Sequence, residues 1–391
     1  MRRDATLLRQ RLAQLEASAN RRRARIVEAR VGASVVVAGR ELVDFCANDY
    51  LGLTRHPALI RAAQAAAATF GAGSGSAHLV TGHTREHQAL EEELSAFTGR
   101  QRALLFSTGY MANLGVVGSF CARHEQVLED RLNHASLIDA ARLSGAELER
   151  YAHLDAAAAE RLLAAGRATL LATDGVFSMD GDVAPLAALA AATAAHDSWL
   201  LVDDAHGLGV LGPEGAGSVQ EAGLGEREVP LLMGTLGKAL GSFGAFVAGE
   251  HEVIEHLLQT ARTFIYTTAL PPPAVAASRA ALRVLREEPQ LRARLHAHIA
   301  RFTTGAAQLG LQLGPSRTAI QPLRVGGSAA ALALSAALEA AGFWVAAIRP
   351  PTVPEGSARL RITLSAAHRE SQIDALLETL GRLCGTARAA H

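Results

Sequence analysis

SWLLVDDAH, residues 198–206, sets four apolar residues, Trp199 to Val202, ahead of two aspartates and a histidine. The apolar run is too short for a helix and does not alternate with polar residues. It therefore reads as a strand buried on both faces whose tip emerges with Asp203, Asp204 and His206. The same grammar recurs on either side. ATLLATDGVFS (168–178) and VPLLMGTLG (229–237) are apolar strands with polar ends, and the helical VAPLAALAAATAAH (183–196) stands just before the quoted stretch. RALLFS (102–107), QVLED (126–130) and GAFVAG (244–249) add further strands, and GYMANLGVVGSF (109–120) adds another helix. Short apolar strands alternating with helices predict an α/β fold with a mainly parallel sheet covered on both faces.

Towards the N-terminus, residues 5 to 30 read as an exposed helix, and VVVAG followed by ELVDF reads as a hairpin. FCANDYLGL (45–53) is irregular. HPALIRAAQAAAATFG and REHQALEEELSAFTG read as helices stopped by glycine, with the glycine-rich loop GAGSGSAHLVTG between them. Towards the C-terminus, three prolines (271–273) mark a boundary and a long helical stretch follows. Strands near QPLRVG, FWVAAI and ARLRITL, with helices between them, predict a smaller α/β domain. The expected organisation is an N-terminal helix and hairpin segment at 1–48, a large domain at 49–285 and a small C-terminal domain at 286–391.

Composition narrows the function. Lys and Arg together number 38, as do Asp and Glu, so no polyanion-binding surface is indicated. Three cysteines without a CxxC imply no disulfide framework. The opening MRRDATLLRQRLAQLE carries charges throughout and lacks the apolar core of a signal peptide. No apolar run approaches the ~20 residues of a membrane span. The expectation is a soluble cytoplasmic protein with no nucleic-acid or membrane partner.

Only one of the 38 basic residues is a lysine, Lys238, and it lies in MGTLGKALGS (233–242) with no charged neighbour in that stretch. Drift towards arginine explains the scarcity of lysine but not this position. Arginine can replace lysine in ion pairs and phosphate binding, but it cannot form a Schiff base because its guanidinium stays protonated. A position that keeps lysine suggests amine chemistry. In a parallel α/β sheet, ligands bind beyond the carboxyl ends of the strands. Those ends deliver Asp203, Asp204 and His206; Asp174, Ser178, Asp180 and Asp182; and Thr235 with Lys238. Pyridoxal phosphate needs a lysine for its aldehyde and a carboxylate for its pyridine nitrogen. It also needs hydroxyls and backbone N–H groups for its phosphate. Lys238, Asp203 and the Ser-Thr-Gly-Tyr stretch at 107–110 supply all three.

Other motifs fare less well. A P-loop fails because Leu232 replaces its first glycine and Ala239 its Ser/Thr. GAGSGS lacks the third glycine of a dinucleotide fingerprint. HTREH (83–87) matches an inverted zinc motif, but it opens a helix and reads as helix-start polar residues. The aspartate pairs Asp203/Asp204 and Asp180/Asp182 could hold a metal or act as glycosidase carboxylates, though strand-end aspartates are more often turn and cap residues. No metal-ligating set is expected.

CANDYLGL, DRLNHASLIDA, TDGVFSMDGD, LVDDAHGLGVLG, GTLGKALGSFG and FIYTTALPP occur in this order, and together the set resembles the α-oxoamine synthases. These are fold-type I pyridoxal-phosphate transferases that condense an amino acid with an acyl thioester and lose carbon dioxide. The resemblance spans about residues 20 to 385. It implies a seven-stranded, mainly parallel sheet and a homodimer with shared active sites. SRTAIQPL and FWVAAIRPPTVPEGSARLRITLSAAH resemble the branch that joins L-alanine to a pimeloyl thioester in biotin biosynthesis. Sister branches use glycine or serine. The thioester carrier, coenzyme A or acyl carrier protein, stays open.

The roles that follow are implied by this resemblance. Lys238 holds the cofactor aldehyde and acts as the base. Asp203 pairs with the pyridine nitrogen, His206 contacts the ring 3-oxygen, and His134 stacks on the ring, assists proton transfer and meets the substrate. Ser178 and Thr235 hold the ring oxygen and phosphate, and Gly109 and Tyr110 give phosphate and ring contacts. Thr267 and Thr268 reach the neighbouring subunit's phosphate. Arg361 binds the amino-acid carboxylate, with Asn48 near the reacting centre. Thr352 and one of Arg21 to Arg23, by preference Arg22, meet the acyl substrate. Alternation puts Arg359 and Arg361 on one strand face, and Arg359 is expected to be a solvated strand residue. Two departures from the family bear only on pocket detail: Asp174 stands where relatives often carry Glu, and the glycine loop reads GSGSAH. A related pyridoxal enzyme with another amino acid, or a non-catalytic partner subunit, are the rival readings.

Overall fold

The structure is a computed structural model that describes residues 5–18 and 20–389. Residues 1–4 of the expected N-terminal segment and 390–391 of the expected C-terminal domain lie outside the described residues, as does Ala19.

The chain opens with helix α1 (Ala5–Ala17), none of whose residues is buried. The helix expected over 5–30 therefore stops early. Asn20 and Arg21 both donate to the Leu15 carbonyl, and the arginines at 21–23 follow outside any helix. Consecutive like charges and the β-branched pair Ile26 and Val27 give no reason to continue a helix. The predicted hairpin is present as β2 (Ser34–Val37) and β3 (Arg40–Asp44), preceded by the short strand β1 (Ala29–Val31). Ala38 and Gly39 both take positive φ in its two-residue turn, as such hairpins require.

Helices α2 (Pro57–Phe70) and α3 (Arg85–Thr98) end at Gly71 and Gly99. The α/β alternation then runs through β4 (Arg102–Phe106), α4 (Gly109–Phe120), β5 (Gln126–Asp130), α5 (Ala135–Ser144), β6 (Glu147–Tyr151), α6 (Ala156–Leu163), β7 (Ala168–Asp174), α7 (Leu186–Ala195) and β8 (Trp199–Asp203). It continues with α8 (Ser218–Glu221), β9 (Leu231–Thr235), β10 (Ala245–Gly249), α9 (His251–Thr260), α10 (Arg262–Ile265), α11 (Pro272–Glu287) and α12 (Pro289–Gln308). The three prolines open α11, with Pro272 and Pro273 in its first turn, where the missing N–H costs nothing. The C-terminal region holds β11 (Ile320–Gly326), α13 (Ser328–Ala340), β12 (Phe343–Trp344), β13 (Ala346–Ile348), β14 (Ala358–Thr363) and α14 (Glu370–Ala389).

The chain divides into two compact units. One comprises residues 49–178 and 182–294, and the other 1–48, 179–181 and 295–391. The N-terminal segment and the C-terminal region, taken separately from the sequence, thus share a unit, and β12 pairs parallel with β3 inside it. Its other sheet runs β11-β14-β13.

The first unit is built on a seven-stranded sheet ordered β4-β10-β9-β8-β7-β5-β6. All neighbours pair parallel except β10, which is antiparallel to both β4 and β9. Leu170, Ala172, Leu201 and Leu231 face one apolar layer with α4, α5 and α9. Leu171, Leu200, Val202 and Leu232 face the other with α6 and α7. This two-sided burial explains the unbroken apolar runs in the sequence. The edge strand β6, ELERY, was not legible, because its charged and half-exposed residues mask the strand pattern. The register pairs Asp174 with Asp203 and Asp203 with Met233. The carboxyl ends of β7, β8 and β9 therefore lie side by side.

Candidate active site

Beyond those strand ends lies a cavity of about 180 Å³. Its walls bring together the sequence-expected Gly109, Tyr110, His134, Ser178, Asp203, His206, Thr235 and Lys238. Asp174, Ser136, Ala205 and Met233 complete the lining.

Asp203 ends β8 and is buried. Its Oδ2 accepts from Asn113 Nδ2 at 2.8 Å and its Oδ1 from the Ala205 N–H at 3.1 Å. Two donors fix the carboxylate plane. Asn113 also donates to Ser136 Oγ at 2.9 Å. The adjacent Asp204 turns away from the cavity. Its oxygens accept from the Ser218 N–H and Oγ, both at 2.7 Å. Burial pushes the Asp204 carboxyl up to about 7 against those two bonds. A Cβ at Gly207 or at Gly217, where φ is 106°, would collide with this carboxylate. Glycine at both positions is the condition for seating it.

Lys238 Nζ lies 2.8 Å from His206 Nε2, and His206 Nδ1 lies 2.7 Å from the Tyr50 hydroxyl. Tyr50 is fully buried. His134 caps α5, and its Nδ1 accepts from the Ser136 N–H at 3.3 Å and lies 2.8 Å from Ser136 Oγ. Burial holds the His134 imidazole below its ordinary range, helped by nearby Lys238 and opposed by Asp203. A neutral, flat ring results. Asp174 accepts from the His134 N–H at 2.8 Å. Burial and then the neighbouring Asp203 hold the Asp174 carboxyl well above the carboxylate range.

Thr108 caps α4, its Oγ1 accepting from the Met111 N–H at 3.1 Å. Gly109 and Tyr110 occupy the first turn, whose N–H groups have no carbonyl to pair with inside the helix. That end of a 12-residue helix favours an anion. The donor set therefore fits pyridoxal phosphate: one amine, one oriented carboxylate, a neutral ring, the hydroxyls of Ser178 and Thr235, and a helix N-terminus for phosphate.

Apart from His134, the residues expected to bind substrate lie in the other unit. Arg361, buried on β14, donates to Asn48 Oδ1 at 3.1 Å. Arg22 donates to Thr352 Oγ1 at 3.4 Å, while Arg21 and Arg23 both pair with Glu16. Arg359 is not the solvated residue expected from the sequence. It is buried and ion-paired with Asp180, and its Nε donates to the Ser357 carbonyl at 3.0 Å. The strand's own alternation hid this, because both arginines face the same way and only their partners differ. Asp182 bonds His153 Nε2 at 2.9 Å, and Asp130 bonds Nδ1 at the same distance. Thr267 and Thr268 do not line the cavity; Thr268 bridges to Ala77. His87 bonds the Thr84 N–H through Nδ1 at the start of α3 and the Leu270 carbonyl through Nε2 just before α11, so both ring nitrogens are engaged within the protein. Among the described residues no group of three or more His, Cys, Asp or Glu could hold a metal ion. No helix among them is long and apolar enough to cross a membrane.

Sequence reasoning missed Tyr50, Asn113 and Ser136. Asn113 carried a signal, since a lone amide inside an apolar helix must find a partner. Tyr50 and Ser136 gave none.

Comparison with known proteins places this geometry. The sequence model of aminotransferase class I and II matches residues 40–380. An 8-amino-7-oxononanoate synthase of Thioalkalivibrio sulfidiphilus is 58% identical over 92% of each chain. Among solved structures, a serine palmitoyltransferase variant from S. paucimobilis with a bound PLP–myriocin aldimine superposes with a TM-score of 0.93 at 30% identity, covering 100% of both chains. The 8-amino-7-oxononanoate synthase of Francisella tularensis gives 0.79 at 31% identity, covering 89% of this chain and 99% of that one.

Proposed function

We propose a reaction from one premise: the chain belongs to the class I and II aminotransferase family and, within it, to the 8-amino-7-oxononanoate synthases. It is a pyridoxal-phosphate-dependent acyltransferase. The reaction we assign is the decarboxylative condensation of L-alanine with a pimeloyl thioester. The products are 8-amino-7-oxononanoate, carbon dioxide and the free thiol carrier, as a step of biotin biosynthesis in the cytoplasm. The observation that carries the reading is the amine of Lys238 in one cavity with the doubly held carboxylate of Asp203.

The cofactor, when bound, supplies an aldehyde for amine exchange and a protonated pyridine that absorbs the electron pair left on the substrate α-carbon. The protein's residues do the rest. Lys238 would hold the cofactor through its aldehyde, and its amine would move the α-proton of alanine and return one. Asp203 would hold the proton of the pyridine nitrogen, its carboxylate being fixed by Asn113 and the Ala205 N–H. His134, neutral by burial, would pack against the cofactor without adding charge. His206 and Ser178 serve the ring oxygen. Thr235, Gly109 and Tyr110 serve the phosphate and ring.

Arg361 presents a planar fork to the alanine carboxylate, and Asn48 holds that fork in place. Arg22 and Thr352 meet the acyl substrate, because Glu16 already engages Arg21 and Arg23. Thr267 and Thr268 serve the phosphate of a second subunit in a homodimer. The thioester carrier is coenzyme A or acyl carrier protein.

The test is the visible absorbance of the purified protein during titration with L-alanine, with glycine for comparison. A cofactor band that shifts saturably with alanine, and less with glycine, supports the assignment. A glycine preference keeps the family and overturns the substrate.

A further inference from the structure

Behind Lys238 stands a short relay whose far member, Tyr50, has been given no part in the chemistry. Tyr50 comes from the irregular stretch that precedes α2 and is 1% exposed. Its hydroxyl is 2.7 Å from His206 Nδ1, and His206 Nε2 is 2.8 Å from Lys238 Nζ. His206 is itself buried. The three groups form one line of hydrogen bonds that ends on the reacting amine.

A neutral imidazole carries one N–H, so its two ring nitrogens cannot both donate or both accept. If the Tyr50 hydroxyl donates to Nδ1, the ring hydrogen must sit on Nε2, where it meets Nζ. An Nε2–H can donate to the lone pair of a neutral amine. It cannot face an ammonium, which offers only donors. The opposite arrangement, with ammonium donating to Nε2, requires Nδ1–H to donate to the phenol oxygen. A phenol is the better hydrogen-bond donor, so Tyr50 weights the first arrangement. In a buried site that preference is not diluted by water.

We propose that Tyr50 is a positioning residue which, through the tautomer of His206, biases Lys238 towards the neutral amine that a base requires. The inference rests on the reading of Lys238 as the reacting amine. The other titratable groups facing Lys238 are Asp174, Asp203, His134 and Tyr110. The Asp203 carboxylate opposes this bias by favouring the ammonium, whereas burial keeps a proton on Asp174. All four groups are unchanged in a Tyr50 variant, so the difference between variants isolates the relay.

The single lysine makes the test direct. Protein grown on [6-13C]lysine carries one labelled Cε, and its chemical shift in the cofactor-free protein reports the ionisation of Lys238 alone. Tyr50→Phe keeps the ring and removes the hydroxyl. The expected result is a rise of the Lys238 midpoint by roughly half to one pH unit, the size of one net hydrogen bond. His206→Gln should also raise it, and Tyr50→Phe should add nothing in that background. An unchanged or lowered midpoint in Tyr50→Phe overturns the proposal, as does an equal rise from Tyr50→Phe with and without His206. Should Tyr50→Phe not fold, the His206→Gln titration decides by the same sign. Failure of the underlying reading looks different: pyridoxal phosphate would then fail to shift the same Cε resonance in the unsubstituted protein.

Discussion

The end of β8 and the middle of β14 pose the same problem in different units. Each presents two like charged residues, Asp203 with Asp204 and Arg359 with Arg361. In each pair one member lies among the groups assigned to cofactor or substrate, and the other is spent on structure. At β8 the split follows strand alternation: Asp203 lines the cavity while Asp204 is caged by Ser218 and two glycines. At β14 alternation cannot split the pair, because both arginines share a face. Partners do it instead, Asp180 taking Arg359 and Asn48 receiving Arg361. A side chain's work is set by what meets its charged end, and that is the part a sequence pattern leaves open.

The comparison predicts opposite phenotypes within each pair. Arg359→Met leaves the half-buried Asp180 carboxylate without its partner. It should cost roughly 1–3 kcal/mol of stability, measured by chemical denaturation, whereas Arg361→Met should cost less. Equal losses would dissolve the distinction at β14. Asp203→Asn should lower turnover by roughly 10²–10³-fold through lost electrostatic support while the melting temperature stays close to that of the unsubstituted chain.

Asp204→Asn should do the reverse. We expect turnover within about twofold and a stability loss of roughly 1–3 kcal/mol from the disturbed Ser218 bonds. Its pH dependence sharpens the point. The Asp204 carboxyl is raised from 3.8 to about 7 on folding. The native state therefore keeps a proton that the unfolded chain gives up. This contribution is fully present below pH 3.8 and is lost as pH rises through about 7. Asp204→Asn should flatten the decline of stability across that interval, and an unchanged slope would remove Asp204 from the account.

Smaller effects follow at the substrate residues. Arg361→Lys keeps the charge but loses the planar fork. It should raise KM for alanine roughly tenfold, with the thioester KM unchanged. Arg23→Ala breaks only an exposed pair with Glu16 and should leave the denaturation midpoint unchanged. Arg22→Ala should instead weaken thioester binding, and similar kinetics for the two variants would remove the special place given to Arg22.

The sheet was legible because its strands are buried on both faces and read as unbroken apolar runs. The cavity's main residues were legible because strand ends and one unrepeated lysine mark them. What stayed hidden has two causes. The edge strand β6 and the early end of α1 were masked by their own charged residues, whereas the ion pair of Arg359 and the line from Tyr50 to Lys238 join residues distant in sequence. Tyr50 and His206 are separated by 156 positions, and no local periodicity encodes that meeting.

We propose that Lys238, just beyond β9, is where the cofactor is held. Borohydride reduction of the protein with pyridoxal phosphate, followed by digestion and mass spectrometry, tests it directly. The expected product is a pyridoxyl group on the peptide that contains Lys238 and nowhere else. A pyridoxyl group on the N-terminal amine instead, or none in a fully active preparation, would contradict it.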